Sequence, residues 1–177
     1  MKSGSKGFSI EAARLFPLQE GSSWTYESDP GDGSGLQTLV LRVRRSDGPR
    51  FVVESLSSGR ARTYELREDG IFWVEEGAYL LKHPVTVGSH WQAAQGRTAE
   101  ILSTAVEVEA PAGRWGDCVD VKESNADSTL VIHTIYCPHV GPVVVEVRQV
   151  LSISGKTIVS RARLRAFALG HEEVSEL

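Results

Sequence analysis

The stretch "TIVSRARLRAFAL", Thr157 to Leu169, decides the fold. Arg161, Arg163 and Arg165 alternate with Ala162, Leu164 and Ala166, a period of two that sends cations to one face and apolar residues to the other. A strand with one wet side belongs to an antiparallel sheet. Its partner stands just upstream, where "VVVEVRQVLSI" (Val143–Ile153) leads into Ser154-Gly155, the turn of a hairpin.

The same rhythm runs through the rest of the chain. "LQTLVLRVRR" (Leu36–Arg45), "RFVVESLS", "RARTYELR" and "IFWVEE" are short runs separated by Asp29–Gly35, Ser46–Gly48, Ser58-Gly59 and Glu68–Gly70. The second half continues with His90–Ala94 and the long "RTAEILSTAVEVEA". "PAGRWGD" reads as a loop, "CVDVKES" and "TLVIHTIYC" as a hairpin around Asn125–Ser128, and "PHVGP" as a break. The pattern predicts a mostly β protein, a curved antiparallel sheet of about ten strands. Such a sheet must bury its apolar side, as a half-barrel, by closing, or as a sandwich. Ser9 is an N-cap for a short helix that Pro17 ends. Residues 1–7 read as a disordered lead, 8–170 as one β-rich domain and 171–177 as an acidic frayed tail.

One phrase occurs twice. "FPLQEGSSWTY" (Phe16–Tyr26) and "HPVTVGSHWQA" (His83–Ala93) share Pro, Gly-Ser and Trp at constant spacing: Pro17 and Pro84, Gly21 and Gly88, Trp24 and Trp91. Pro ends the preceding element, Gly turns the chain and Trp opens a strand. Paired Trp residues can form a ligand platform, but buried aromatics more often serve packing, and the phrase reads as strand-entry punctuation.

Composition narrows the function classes. The chain has 177 residues with a net charge of −4 and 41% hydrophobic residues, enough for a core and against a nucleic-acid binder. No apolar run is long enough for an integral membrane helix. The N-terminus starts like a signal peptide but lacks its apolar core. The expected location is therefore the cell envelope or periplasm if a signal has been removed, and the cytoplasm otherwise.

Cys118 and Cys137 are the only cysteines, and pairing of their strands in a hairpin can set them opposite one another. A disulfide and two buried thiols both fit this placement. His133, Cys137 and His139, with Cys118, suggest zinc, but the spacing is not that of a zinc site, and no metal or cofactor is expected. There is no Gly-x-Ser-x-Gly elbow, and "GDGSG" leads into a strand without the Lys of a phosphate loop. The basic runs at Arg42–Arg50, Arg60–Arg62 and Arg161–Arg165 read as a solvated outer face with Glu54, Glu65 and Glu146 as counter-charges, rather than as a stripe for phosphate or lipid headgroups.

Four phrases in order, "FPLQEGSSWTY", "LLKHPVTVGSHW", "APAGRWGDCVDVKES" and "YCPHVGPVVVEV", resemble bacterial cell-envelope and lipoprotein-type domains of unassigned function. The resemblance spans about Phe16 to Leu151 and implies a curved sheet similar to lipoprotein-carrier folds; it brings no catalytic residues. His139 stands where that group often has Gly. The expected function is a non-enzymatic envelope binding or structural module with an unknown protein partner. The alternative is a carrier of an apolar or lipid-like ligand contacted by Trp24, Trp73 and Trp91. An enzyme, with a cleft around His90, His133 or His139, ranks third.

Overall fold

The computed structural model describes residues 11–170. They form one short helix, α1 (Glu11–Leu15), and twelve strands. The first six are β1 (Ser23–Asp29), β2 (Gln37–Asp47), β3 (Arg50–Ser55), β4 (Ala61–Arg67), β5 (Gly70–Trp73) and β6 (Ala78–Lys82). The second six are β7 (His90–Gln92), β8 (Thr98–Ala110), β9 (Gly113–Ser124), β10 (Leu130–Cys137), β11 (Gly141–Val150) and β12 (Thr157–Ala168). A 3₁₀ turn spans Ala94–Gly96.

Sequence neighbours pair antiparallel throughout, except β6 with β7, and β12 pairs back onto β1. The order is β6-β5-β4-β3-β2-β1-β12-β11-β10-β9-β8-β7, two six-stranded meanders joined at β1–β12. The edges β6 and β7 are consecutive in the chain. The indole of Trp91 on β7 donates to the Tyr79 carbonyl on β6 at 3.1 Å, so the sheet curls into a nearly closed barrel.

Each meander begins with the doubled phrase, and both copies make the same hydrogen bonds. Gly21 N–H reaches the Val43 carbonyl and Gly88 N–H the Ile101 carbonyl, both at 2.9 Å. Val43 N–H returns to Ser22 at 2.8 Å, and Ile101 N–H to Ser89 at 2.9 Å. The two glycines have φ of 86° and 88°, a left-handed conformation that glycine adopts without steric penalty. Each phrase thus clips the entry of a strand to the strand that follows it.

Two expectations change. Twelve strands form rather than about ten, because Ala78–Lys82, a five-residue run without clear alternation, pairs with β5. "PAGRWGD" is no loop: only Pro111 and Ala112 turn the chain, and Gly113 already opens β9. Its irregular look comes from register shifts, with three between Ile101 and Val108. Helix α1 runs over Glu11–Leu15, while the Ser9 cap, the lead (residues 1–7) and the tail (171–177) lie outside the described residues.

The inner face of the barrel holds the core, including Trp24, Tyr26, Val43, Ile71, Leu81, Ile101, Val121 and Leu164, all at most 2% exposed. One end is plugged from within. Ala12, Leu15, Phe16 and Leu18 are buried, and the Phe16 ring packs on Trp24 of β1 (5.3 Å), Tyr64 of β4 (5.8 Å) and Tyr136 of β10 (6.5 Å). His139 N–H donates to the Arg14 carbonyl at 2.8 Å, tying the β10–β11 turn to the plug. Toward the opposite end, inner-face residues Leu39, Trp73, Ile132, Val145 and Val147 are only half-buried. That end carries the β1–β2, β3–β4, β5–β6, β7–β8, β9–β10 and β11–β12 turns and is called the open end below.

Candidate functional site

The three Trp residues proposed as ligand contacts occupy different environments. Trp24 is 0% exposed, and its indole donates to the Val140 carbonyl at 2.6 Å. Trp91 is buried at the β6–β7 seam with its donor used there. Both indoles are bonded to backbone and held in the core. Trp73, on β5 near the open end, is half-buried; its indole nitrogen is buried without a hydrogen-bond partner.

Around Trp73 the inner wall turns polar. The Arg62 guanidinium lies over its ring, 4.7 Å from the centroid, and the Tyr64 ring packs against it at 6.0 Å. Arg62 stacks as a cation on an aromatic face, which suits a planar, weakly hydrated guanidinium. Arg97 pairs with Glu123 at 3.0 Å and with the Gln95 side-chain oxygen at 2.9 Å. Arg97 is only 7% exposed, so this pair needs its hydrogen bonds to offset desolvation. Burial pushes the Tyr64 phenol up, as it does Tyr26 and, with the Glu123 charge adding to it, Tyr136. The open end therefore offers an apolar strip of Leu39, Ile132, Val145 and Val147 beside a cationic and aromatic corner.

Outside the barrel, the far half of the β8–β9 hairpin reaches across to β11 and β12. Ala112 N–H donates to the Leu164 carbonyl at 3.0 Å, and Trp115 meets Phe167 edge-on at 6.2 Å. At its root, Cys118 of β9 and Cys137 of β10 form a disulfide, both residues fully buried. Glu109 of this hairpin and His133, Ile135, Val144, Arg161 and Arg163 line an open groove of about 460 Å³. His133 Nδ1 faces Asp120 at 3.1 Å. Within the groove, Arg161 pairs with Glu146 and holds its carboxyl below the usual range.

A second open groove, of about 520 Å³, follows the seam between His83 and Trp91. The three histidines considered for chemistry do not converge. His90 lines the seam groove, His133 the outer groove, and His139 lies in the β10–β11 turn. The zinc idea loses both thiolates to the disulfide, and no cluster of three metal-ligating side chains occurs among the described residues. Two of the three arginine runs meet the expected counter-charges, Arg44 with Glu54, Arg50 with Glu65 (which Arg67 also pairs) and Arg161 with Glu146. The Arg60–Arg62 run makes no ion pair among the described residues, and Arg62 turns inward onto Trp73 instead of lying on the outer face.

The sequence reading missed the N-terminal plug and the folded-over hairpin. Phe16 carried a signal, standing at the start of the first doubled phrase. The hairpin carried one too, since "RTAEILSTAVEVEA" is longer than any neighbouring run.

No protein-family model and no curated protein sequence matches the chain. Among solved structures, it is similar to a protein of Bacteroides fragilis, classed provisionally as exported and described as having a YmcC-like fold. The match is 14% identical, has a TM-score of 0.50 and covers 86% of this chain and 98% of the other. It is also similar to a protein of Parabacteroides distasonis classed provisionally as a lipoprotein, at 16% identity and a TM-score of 0.47, covering 87% and 98%. The likeness to the first is one of fold.

Proposed function

We propose that this chain is a non-catalytic module of the bacterial cell envelope that works through its outer surface. The Cys118–Cys137 disulfide carries the reading. A buried bridge between adjacent strands is stable in an oxidising compartment and rare where glutathione keeps thiols reduced. The exported class of the Bacteroides fragilis neighbour supports the same location. The plug supports a surface role, because Phe16 and Leu15 fill one end of the space in which an apolar cargo would sit. The four sequence phrases that resemble envelope domains agree with it.

The test is made in the native host. Cells are quenched in acid, the protein is denatured, and free thiols are alkylated with a mass tag before and after reduction. The reading expects no tag before reduction, two after it, and recovery with the envelope fraction. Two tags before reduction, in a cytosolic fraction, would overturn it.

A second reading, carriage of an apolar or lipid-like ligand, has one observation in its favour. The half-buried inner-face residues Leu39, Ile132, Val145 and Val147 lie toward the same open end as Trp73, whose indole nitrogen is buried without a hydrogen-bond partner. A ligand with an acceptor group at Trp73 and a chain along the strip would satisfy both. Replacing Trp73 by Phe would then weaken capture of a fatty acid probe; unchanged or absent capture counts against this reading.

A further inference from the structure

Seven large hydrophobic residues are exposed among the described residues, and four of them crowd one arc of the open end. Leu56 (51% exposed) tops the β3–β4 turn, Leu36 (70%) ends the β1–β2 loop, and Ile153 (101%) tips the β11–β12 turn. Val159 (39%) lies at the start of β12. The sheet order β4-β3-β2-β1-β12-β11 makes these three turns consecutive along the rim.

The arc is held in place. Leu56 N–H donates to the Val40 carbonyl at 2.9 Å, and the Ser57 hydroxyl donates to the Thr38 carbonyl at 3.2 Å, which fixes the β3–β4 turn on β2. Gly31 lies so close to the Val159 carbonyl that a Cβ there would sit 2.0 Å from it, so the β1–β2 loop rests on β12. Gly155 N–H and Leu151 N–H close the β11–β12 turn through the Leu151 and Lys156 carbonyls at 2.8 and 2.9 Å. Four of the seven exposed large hydrophobics on or beside three neighbouring turns are a concentration of apolar side chains and not a scatter over the surface, and such concentrations mark interaction sites.

We infer that this arc seats the open end on a lipid bilayer surface, with Leu36, Leu56 and Ile153 entering the headgroup–acyl boundary. The chemistry around each tip favours lipid over a protein partner. The tips protrude singly from Gly- and Ser-rich turns, "GDGSGL", "LSSG" and "SISG", and form no flat apolar face of the kind a protein core interface needs. Small polar residues tolerate the headgroup zone. Arg60 and Lys156 close two of the turns, near Leu56 and Ile153 along the chain, and cations beside inserting apolar residues favour lipid phosphates. Asp29 and Asp32 on the third loop keep their charge, each accepting a backbone N–H, from Gly31 and Ser34, so any preference for anionic lipid rests on Arg60 and Lys156 at the other two turns. Glu75, Glu76 and Asp127 belong to two of the remaining open-end turns, β5–β6 and β9–β10, so contact is expected along the arc rather than around the whole rim. This goes beyond the envelope-module reading, and the two fail separately: one rests on a disulfide, the other on three turn tips.

The test is co-sedimentation of the full chain with vesicles of phosphatidylcholine, alone or with added phosphatidylglycerol. Wild type is expected to pellet with both, more with the anionic lipid. The combined variant Leu36→Ser, Leu56→Ser, Ile153→Ser should lose about tenfold or more in partitioning, since each insertion depends on buried apolar groups. Val87→Ser, at an exposed apolar residue of the seam loop, should bind as wild type does. Arg60→Glu with Lys156→Glu should abolish the extra binding to anionic vesicles. All variants change exposed side chains, and an unchanged thermal midpoint confirms their folding. Wild type that binds neither vesicle, or a triple variant that binds like wild type, would overturn the proposal, the first leaving a protein partner as the occupant.

Discussion

At the scale of single residues, His139 occupies a conformation that suits glycine. Its φ is 63°, in the tight turn that joins β10 to β11, and its side chain is exposed. The left-handed region costs a residue with a Cβ about 1–2 kcal/mol, partly returned by the lower entropy of the unfolded chain. His139→Gly should therefore stabilise the protein by about 0.5–1 kcal/mol in urea unfolding; destabilisation would mean that the imidazole makes a contact of its own. The tyrosines give a second residue-scale prediction. Burial raises Tyr26, Tyr64 and Tyr136 above the ordinary value of 10.0. Folded-state values above the unfolded value mean that the unfolded chain ionises first. This stability is intact below pH 10 and falls as pH rises past it, by about 1.4 kcal/mol per pH unit for each buried phenol. Apart from the signal of the fourth tyrosine, half-buried Tyr79, absorbance at 295 nm should stay low until a cooperative rise of three phenols coincides with loss of near-ultraviolet dichroism. Ordinary tyrosinate titration with the fold intact would contradict the burial. Sequence alone favoured Trp24 and Trp91 as anchors over a ligand platform, because each follows a Pro, Gly-Ser turn that opens a strand. It marked Phe16 only as the start of the doubled phrase: a residue before a proline shows no periodicity, and only the curled sheet reveals that it plugs one end.

At the scale of elements, the β8–β9 hairpin departs most from its sequence signal. Alternation through "STAVEVEA" is clear, yet the register shifts three times and the outer half bends toward β12. Bulges are set by partner strands, so no local pattern announces them. The opposition of Cys118 and Cys137 was legible, because the hairpin around Asn125–Ser128 fixes the register of β9 against β10. Their bridge spans a sequence separation of 19, for which loop-closure entropy gives about 3 kcal/mol. Replacing both by Ala should lower stability by about that amount. Backbone amide exchange should rise first in residues 105–117, the part of the hairpin whose root the bridge holds. A uniform rise across the sheet would show that the bridge stabilises the barrel as a whole and does not pin the hairpin. The missed strand β6 fails for another reason: five residues are too few to show a period, and pairing with β5 alone makes Ala78–Lys82 a strand.

At the scale of the whole molecule, alternation and turn spacing reveal an antiparallel sheet but not its closure. Closure depends on β12 returning to β1 and on Trp91 reaching Tyr79 across the seam, contacts between residues that no local window links. The ion pairs of the outer face behave like a surface network. Arg50 and Arg67 hold Glu65 below the usual carboxylate range, and Arg161 does the same for Glu146. Lowered carboxylate values mean stability that is present above the unfolded value and lost as pH falls, so acid should weaken the fold, and added salt should reduce the effect. The larger claim is that the molecule is a nearly closed barrel, plugged by its own N-terminal segment and bridged between β9 and β10 by a disulfide. If the proposed envelope location holds, such a molecule is recovered as an oxidised chain without cargo. Native mass spectrometry of the protein purified from its own host tests this most directly. The account predicts a mass two hydrogens below that of the reduced chain and no bound ligand. A reduced chain, or one that flies with a stoichiometric lipid lost only on denaturation, would contradict it.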